Sequence, residues 1–354
     1  MIGQGIAGLF VFAMIAWMMS EDRKAVRVKA VVIGILVQLA VGVVLLKIPA
    51  FRAVFIFLNR LVLCIEEATK AGTSFVFGYL GGGVLPFAEK FPGSSFVLAF
   101  QALPLVLVIS SLSALLFYWK VLPLVVRGLS WALQRTMKVG GAEGLGVSAN
   151  IFVGMVESPL LIRPYLRDMT RSEIFTVMTC GMATIAGTVM VLYASILSKT
   201  VPDVMGHILT ASIISVPASV TVAKIMVPET GDLTSGDLTA PETYVSSMDA
   251  ITKGTIRGIE LLLNIVAMLI VLVALVYLVN IILGLLPEMA GEPVTLQRML
   301  GYVMAPLVWL MGIPWSESLA AGTLLGTKTV LNELIAYVDM AHLPKGILSP
   351  RSAL

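Results

Sequence analysis

From Arg257 to Leu286 the sequence is apolar almost without interruption, the most uniform such run in a chain that has several. A run of this kind exceeds the about 20 residues that a helix needs to cross a bilayer, and is far too long for a barrel strand of about 10. In hydrocarbon every backbone N–H and C=O must find a partner inside the protein, so such a run can only be a helix. Ile2 to Ser20, Ala30 to Leu46, Ser94 to Trp119, Ser172 to Leu197 and Gly206 to Val227 read as further spans. Only 13% of residues are charged, against about 25% in soluble domains, and the mean hydropathy is +0.97. The fold class is therefore an all-α polytopic membrane protein surrounded by membrane lipids, and the expected location is a bacterial cytoplasmic membrane. The first apolar run lacks a small-residue cleavage site and reads as a retained helix. Arg23, Lys24, Arg27 and Lys29 form a basic loop after it, which the positive-inside rule places in the cytoplasm.

The remaining composition removes other classes. A formal charge of +3 is too small to argue for nucleic acid. His207 and His342 are isolated, and Cys64 and Cys180 lie in apolar stretches, so neither metal spacing nor a nucleophile–base pair points to an enzyme. Ile48 to Ala71 and Val121 to Lys138 carry charges at helical spacing and read as amphipathic helices at the interface. Gly72 to Pro92, rich in glycine and aromatics, reads as an irregular connection. Glu229 to Asp249 reads as a flexible polar linker. Asn264 and Asn280, inside the longest apolar run, read as polar contacts between helices.

Two stretches break the apolar pattern. In Asn150 to Pro164 a carboxylate, Glu157, sits between Gly154 and Pro159. An unpaired carboxylate at membrane depth is costly and marks a functional site by default. Gly154 permits a helix interruption, and Ser158–Pro159 reads as the cap and first residue of a new helix. Gly140 to Pro164 is then a re-entrant hairpin, tolerated only where buried or lining water. Leu300 to Tyr337 repeats the pattern: Gly312 to Glu317 reads as a second hairpin tip, and Gly322 to Tyr337 as a seventh span, interrupted near Gly326–Thr327–Lys328 and Asn332–Glu333. Two broken hairpins, each followed by a polar-interrupted helix, are the mark of an inverted-repeat transport core. Lys328 reads as neutralising a neighbouring carboxylate or backbone carbonyls rather than touching substrate.

Phe152–Val153–Gly154 with Glu157–Ser158–Pro159–Leu160–Leu161–Ile162–Arg163–Pro164–Tyr165, then Met182 to Val189, then Gly326–Thr327–Lys328 with Asn332–Glu333–Leu334–Ile335–Ala336–Tyr337, together resemble the concentrative nucleoside transporter family over nearly the whole chain. The resemblance implies a homotrimer with two re-entrant hairpins and interfacial helices, carrying nucleosides inward on a sodium gradient. It implies substrate contacts at Gly154, Met155, Val156, Glu157, Val189, Asn332 and Glu333, and sodium, the coupling ion, at Asn150, the carbonyl of Val153, Thr184 and the carbonyl of Ile185. An ionised carboxylate offers only acceptors and a ribose diol two donors, which suits Glu333. Hard oxygen ligands suit sodium.

Two departures stand out. The family has Gln–Thr where this chain has Met155–Val156, so its base recognition is expected to differ. The family also continues into an eighth helix beyond the last residue here, so about seven spans are expected. The expected divisions are a scaffold over 1–139, the first transport-core half over 140–228, a linker over 229–250, a scaffold helix over 251–294 and the second half over 295–354. Sodium-coupled symport of nucleosides or nucleoside-like solutes is the leading function. Proton-coupled uptake, an uncoupled pore, and a membrane homologue without transport activity are the alternatives.

Overall fold

The computed structural model describes residues 2–89, 95–198, 200–236, 244–288, 293–344 and 346–353, without the side chains of residues 2, 49–52, 55, 156 and 157. Among the described residues it is built of helices and connections alone. In order these are α1 (Ile2–Met18), α2 (Val28–Lys47), α3 (Pro49–Phe77), α4 (Leu98–Gln101), α5 (Leu105–Tyr118), α6 (Val121–Met137), α7 (Gly141–Leu161), α8 (Arg171–Ala183), α9 (Gly187–Leu197), α10 (Val204–Met226), α11 (Ser247–Leu283), α12 (Leu296–Leu310), α13 (Trp315–Val330), α14 (Glu333–His342) and α15 (Pro350–Ala353). Among the described residues five segments are long and apolar enough to span a membrane: Val28–Lys47, Leu98–Tyr118, Arg171–Leu197, Val204–Met226 and Ser247–Leu283. α1 is a shorter apolar helix, and α12 with α13 forms a pair bent by 120°. The expected seventh span, Gly322 to Tyr337, is divided between α13 and α14.

The chain forms two compact units. The larger comprises Ala13–Ser195 and Met205–Leu262. Its core closes around α7, where Ala142, Val147, Ala149 and Ile151 are buried with Val177 and Cys180 of α8 and Val216 and Val220 of α10. Small residues along α7 let its neighbours approach closely, the usual solution where hydrocarbon supplies no hydrophobic drive between helices. α11 is 37 residues long, about 55 Å at 1.5 Å per residue, against about 30 Å of hydrocarbon. Its first turns run along α5, where the Ser111 and Thr255 hydroxyls share a 2.8 Å hydrogen bond.

Three expectations shift here. α3 does not end at Ala71 but continues to Phe77, because the chain keeps helical hydrogen bonds until Gly78 takes φ 59°; Pro92 lies outside the described residues. The third span is divided, with Pro104 as the residue before α5, since a proline lacks the N–H that a helix interior needs. The segment read as a flexible linker is pinned in its first part: Thr234 N–H donates to Glu173 Oε1 at 2.9 Å and its hydroxyl to the carbonyl of Asp168 at 2.9 Å. Residues 237–243 lie outside the described residues, and from Ser247 the chain is already α11.

The smaller unit comprises Met1–Phe12, Ile196–Val204 and Leu263–Leu354. Its centre is the bent pair α12–α13. Thr295 caps α12 by accepting the N–H of Arg298 at 3.3 Å. Asn280 accepts the N–H of Leu296 at 2.9 Å and donates to Gln297 at 3.0 Å, so it is a contact between helices as its position suggested. At the bend, the Gln4 side chain donates to the carbonyls of Trp309 and Ile313. Glu317 Oε2 accepts both the N–H and the hydroxyl of Ser349, at 3.0 and 3.1 Å.

Candidate functional site

In the larger unit, Gly154 has φ 84° and ψ 172°, a conformation open essentially to glycine alone, and it breaks α7 into two arms. The arms fold back on one another: the Ser158 hydroxyl donates to the carbonyl of Gly146 at 2.5 Å. This corrects the reading of Ser158–Pro159 as a helix start. The break lies at Gly154, Ser158 is a buried strut, and Pro159 sits inside the second arm. Pro159 is the fifth residue after the kink, just past the four N–H groups that lack helical partners at a helix start, so it costs the second arm one backbone hydrogen bond near its beginning. Glu157 is the third residue after the kink, so its backbone is in the first turn of the second arm. The side chains of Glu157 and Val156 lie outside the described residues.

A second interruption faces this tip. α8 stops at Ala183, Thr184 is extended at φ −105° and ψ 156°, and helix resumes at Gly187. Nothing in this apolar run marks a gap; the contact made there is tertiary, with Ile185 N–H donating to Ser212 Oγ at 3.3 Å. Close approach explains two glycines: a Cβ at Gly187 would lie 2.8 Å from the carbonyl oxygen of Phe152, and one at Gly181 2.7 Å from Met155 Cβ and 3.4 Å from Asn150 Oδ1. The tip residues Asn150 to Met155 therefore lie against the α8–α9 gap.

Asn150 is buried. Its Nδ2 donates to the carbonyl of Val177 at 3.1 Å, while Oδ1 is buried with no hydrogen-bond partner among the described residues. An orphaned buried acceptor costs about 1–3 kcal/mol, so this oxygen calls for a donor or a cation. Thr184 Oγ donates to the carbonyl of Cys180 at 2.9 Å and keeps lone pairs for a further partner. The donor set is oxygen throughout and fits a hard monovalent cation. Met155 is 58% exposed and Val189 is half-buried on the first turn of α9. A cavity of about 70 Å³ opens beside Val153 and Thr188, walled by Ser113, Phe117, Tyr244 and Arg257.

At the base of the same hairpin lies a charge cluster that sequence reading missed. Lys224 Nζ is 2.9 Å from Glu143 Oε1 and 3.1 Å from Glu229 Oε2, and it donates to Ser172 Oγ at 3.1 Å. Glu143 Oε2 caps Gly140 N–H at 3.1 Å, and Glu173 Oε2 caps Thr170 N–H at 2.9 Å. Both carboxylates are fully buried at helix N-termini, which favour negative charge. Burial acts to raise the Glu229 carboxyl, but the Thr170 hydroxyl, the Lys224 ammonium and the Gly231 N–H outweigh it and hold the group below the usual carboxylate range. The available signal was the spacing Gly140–Glu143 and Thr170–Glu173, the pattern of a capping box.

In the smaller unit the α13–α14 break falls at Leu331–Asn332, whereas Gly326–Thr327–Lys328, expected to interrupt the helix, stays helical. Asn332 caps α14, its Oδ1 accepting Ile335 N–H at 3.0 Å. Glu333 is the first residue of α14, and Lys328 Nζ lies 2.6 Å from its Oε1. Lys328 is thus a carboxylate partner, as its position suggested.

Family models match most of the chain. Residues 7–80 match the Na+ dependent nucleoside transporter N-terminus, 99–200 nucleoside recognition, and 207–354 the Na+ dependent nucleoside transporter C-terminus. The chain is 34% identical to "Nucleoside permease NupC" of Helicobacter pylori, over 95% of this chain and 78% of the relative. It is 36% identical to "Uncharacterized transporter YutK" of Bacillus subtilis, over 94% and 80%. A solved structure of CNTnw in an inward-facing substrate-bound state is similar with a TM-score of 0.88 at 33% identity, over 99% of this chain and 83% of that one.

Proposed function

Because the chain belongs to the sodium-dependent nucleoside transporters, multi-pass membrane carriers and not enzymes, we propose that it imports nucleosides or close analogues by symport with sodium, working as a homotrimer. The observation that carries this reading is Asn150, a buried amide with an unpartnered oxygen, set against the gap between α8 and α9. On this reading sodium is held by Asn150, Thr184 and the carbonyls of Val153 and Ile185. Binding there closes the hairpin tip onto the gap, and it stabilises the geometry that Gly154, Met155, Val156, Glu157 and Val189 present to the substrate. Glu333 accepts the ribose hydroxyls. Asn332, whose side-chain oxygen is engaged as a cap, has only its NH₂ to donate.

Met155 and Val156 offer a thioether and methyl groups in place of amide and hydroxyl. A thioether contact with a ring is worth about 0.3–1.5 kcal/mol and depends weakly on which heteroatoms the ring carries. A site built on hydrogen bonds discriminates far more strongly, because the wrong ring leaves its groups unpaired. Base selectivity is therefore broad and sugar selectivity sharp. Uptake of labelled uridine into proteoliposomes, with and without an inward sodium gradient, tests the function. Competition by cytidine, adenosine and 2′- and 3′-deoxy forms tests the selectivity. Uptake driven by a pH gradient and indifferent to sodium overturns the coupling, and a strong single-base preference with indifference to the hydroxyls overturns the arrangement of the site.

A further inference from the structure

The pair Lys328–Glu333 spans the break between two helices. Lys328 stands in the last turn of α13, the negative end of that helix, and Glu333 opens α14 at its positive end. Each charge is therefore favoured where it stands, and the 2.6 Å contact joins them across Leu331 and Asn332. The two side chains are 47% and 24% exposed, so the pair is open to exchange with a ligand. An ionised carboxylate has about four acceptor positions, and the ammonium takes only part of that capacity.

We infer that Lys328 is a specificity-determining residue: by neutralising Glu333 it makes the sugar end of the site select uncharged hydroxylated solutes and reject those bearing an amine. This rests on the reading of Glu333 as the ribose acceptor. With the ammonium present, the carboxylate receives hydroxyl donors without carrying net charge into the site, and a second cation on the solute meets like-charge repulsion from Lys328. With the ammonium removed, a partly enclosed carboxylate is left unpaired, and a protonated amine on the sugar restores the missing partner. Hydrogen bonds to charged groups are worth about 1.5–3 kcal/mol, so the preference should move by about tenfold or more.

The test is equilibrium competition against labelled uridine on the purified full chain, with uridine and 3′-amino-3′-deoxyuridine as competitors. It is run at a pH where the amine is protonated and again where it is neutral. Wild type should favour uridine. Lys328→Met and Lys328→Gln should shift the affinity ratio toward the amino sugar by about tenfold at the acidic pH alone, and Lys328→Arg should keep the wild-type ratio. A ratio unchanged in both neutral variants overturns the inference, as does a shift that persists when the amine is neutral. Glu333→Gln separates the two levels. If it weakens both competitors while the Lys328 ratio stays fixed, the ribose reading stands and this inference falls. If it leaves both affinities unchanged, the ribose reading falls and takes the inference with it.

Discussion

The break at Gly154 and the break at Leu331–Asn332 place their described charges differently. At the first, where the Glu157 side chain lies outside the described residues, the described tip carries a neutral buried amide, Asn150, and the ionisable groups Glu143, Glu173, Glu229 and Lys224 are gathered at the hairpin's base. At the second, the charges Lys328 and Glu333 stand at the break itself and are partly exposed. Buried ions hold structure because removing one partner strands the other, while exposed ions can trade partners with a ligand. The difference teaches that a carboxylate's meaning in a membrane chain depends on its neighbours. Glu143 is an anchor for the chain ends at Gly140 and α10, whereas Glu333 is placed to be reached.

The largest expected effect probes the anchored side. Lys224→Met should destabilise the protein by about 3–5 kcal/mol, the cost of leaving a buried carboxylate without its partner. The double variant Lys224→Met/Glu143→Gln should recover much of that loss, as thermal unfolding in detergent would read. If the single variant melts like wild type, the base cluster is not an anchor and the contrast collapses.

Next comes the exchangeable side. Glu333→Gln should weaken uridine binding by about 1.5–3 kcal/mol while moving the unfolding midpoint little. Calorimetric titration beside a melting curve separates the two quantities. A variant that loses stability and keeps affinity would place Glu333 with the anchors.

The smallest effect concerns Glu229, whose carboxyl is held below its ordinary value. A carboxyl with a depressed folded-state pKa contributes stability above its unfolded value, about 4.3, and loses that contribution as pH falls through the folded value. Wild type should therefore melt above Glu229→Gln at neutral pH, and the gap should narrow below about pH 4. A gap that widens on acidification would reverse the sign and show that Glu229 is not held ionised by Lys224 and Thr170.

What could be read in advance follows the same division. The hairpin and its tip were legible because glycine, proline and a carboxylate interrupt an apolar run, and such interruptions are local. Its helix start was misplaced by four residues because Ser158–Pro159 imitates a cap, while the positive φ at Gly154 decides where the ladder breaks. Asn332–Glu333 was legible as a break for the same local reason. The gap after Ala183 was not, since Thr184–Ile185–Ala186 is apolar enough to continue a helix and the contacts made there are tertiary, Ile185 N–H with Ser212 and Gly187 close against the Phe152 carbonyl. Nor was the base cluster, because Lys224 reaches Glu143 from a distant helix and no spacing records that meeting.

The most direct measurement is the sodium dependence of uridine uptake in Asn150→Leu, reconstituted beside wild type. Leucine fills the space and removes a buried acceptor that has no hydrogen-bond partner among the described residues. We expect the sodium concentration for half-maximal uptake to rise by about tenfold or more, the equivalent of losing one strong ligand contact. The uridine affinity at saturating sodium should change far less. An unchanged sodium requirement in a folded, transporting Asn150→Leu protein would contradict the assignment of this oxygen to the coupling ion.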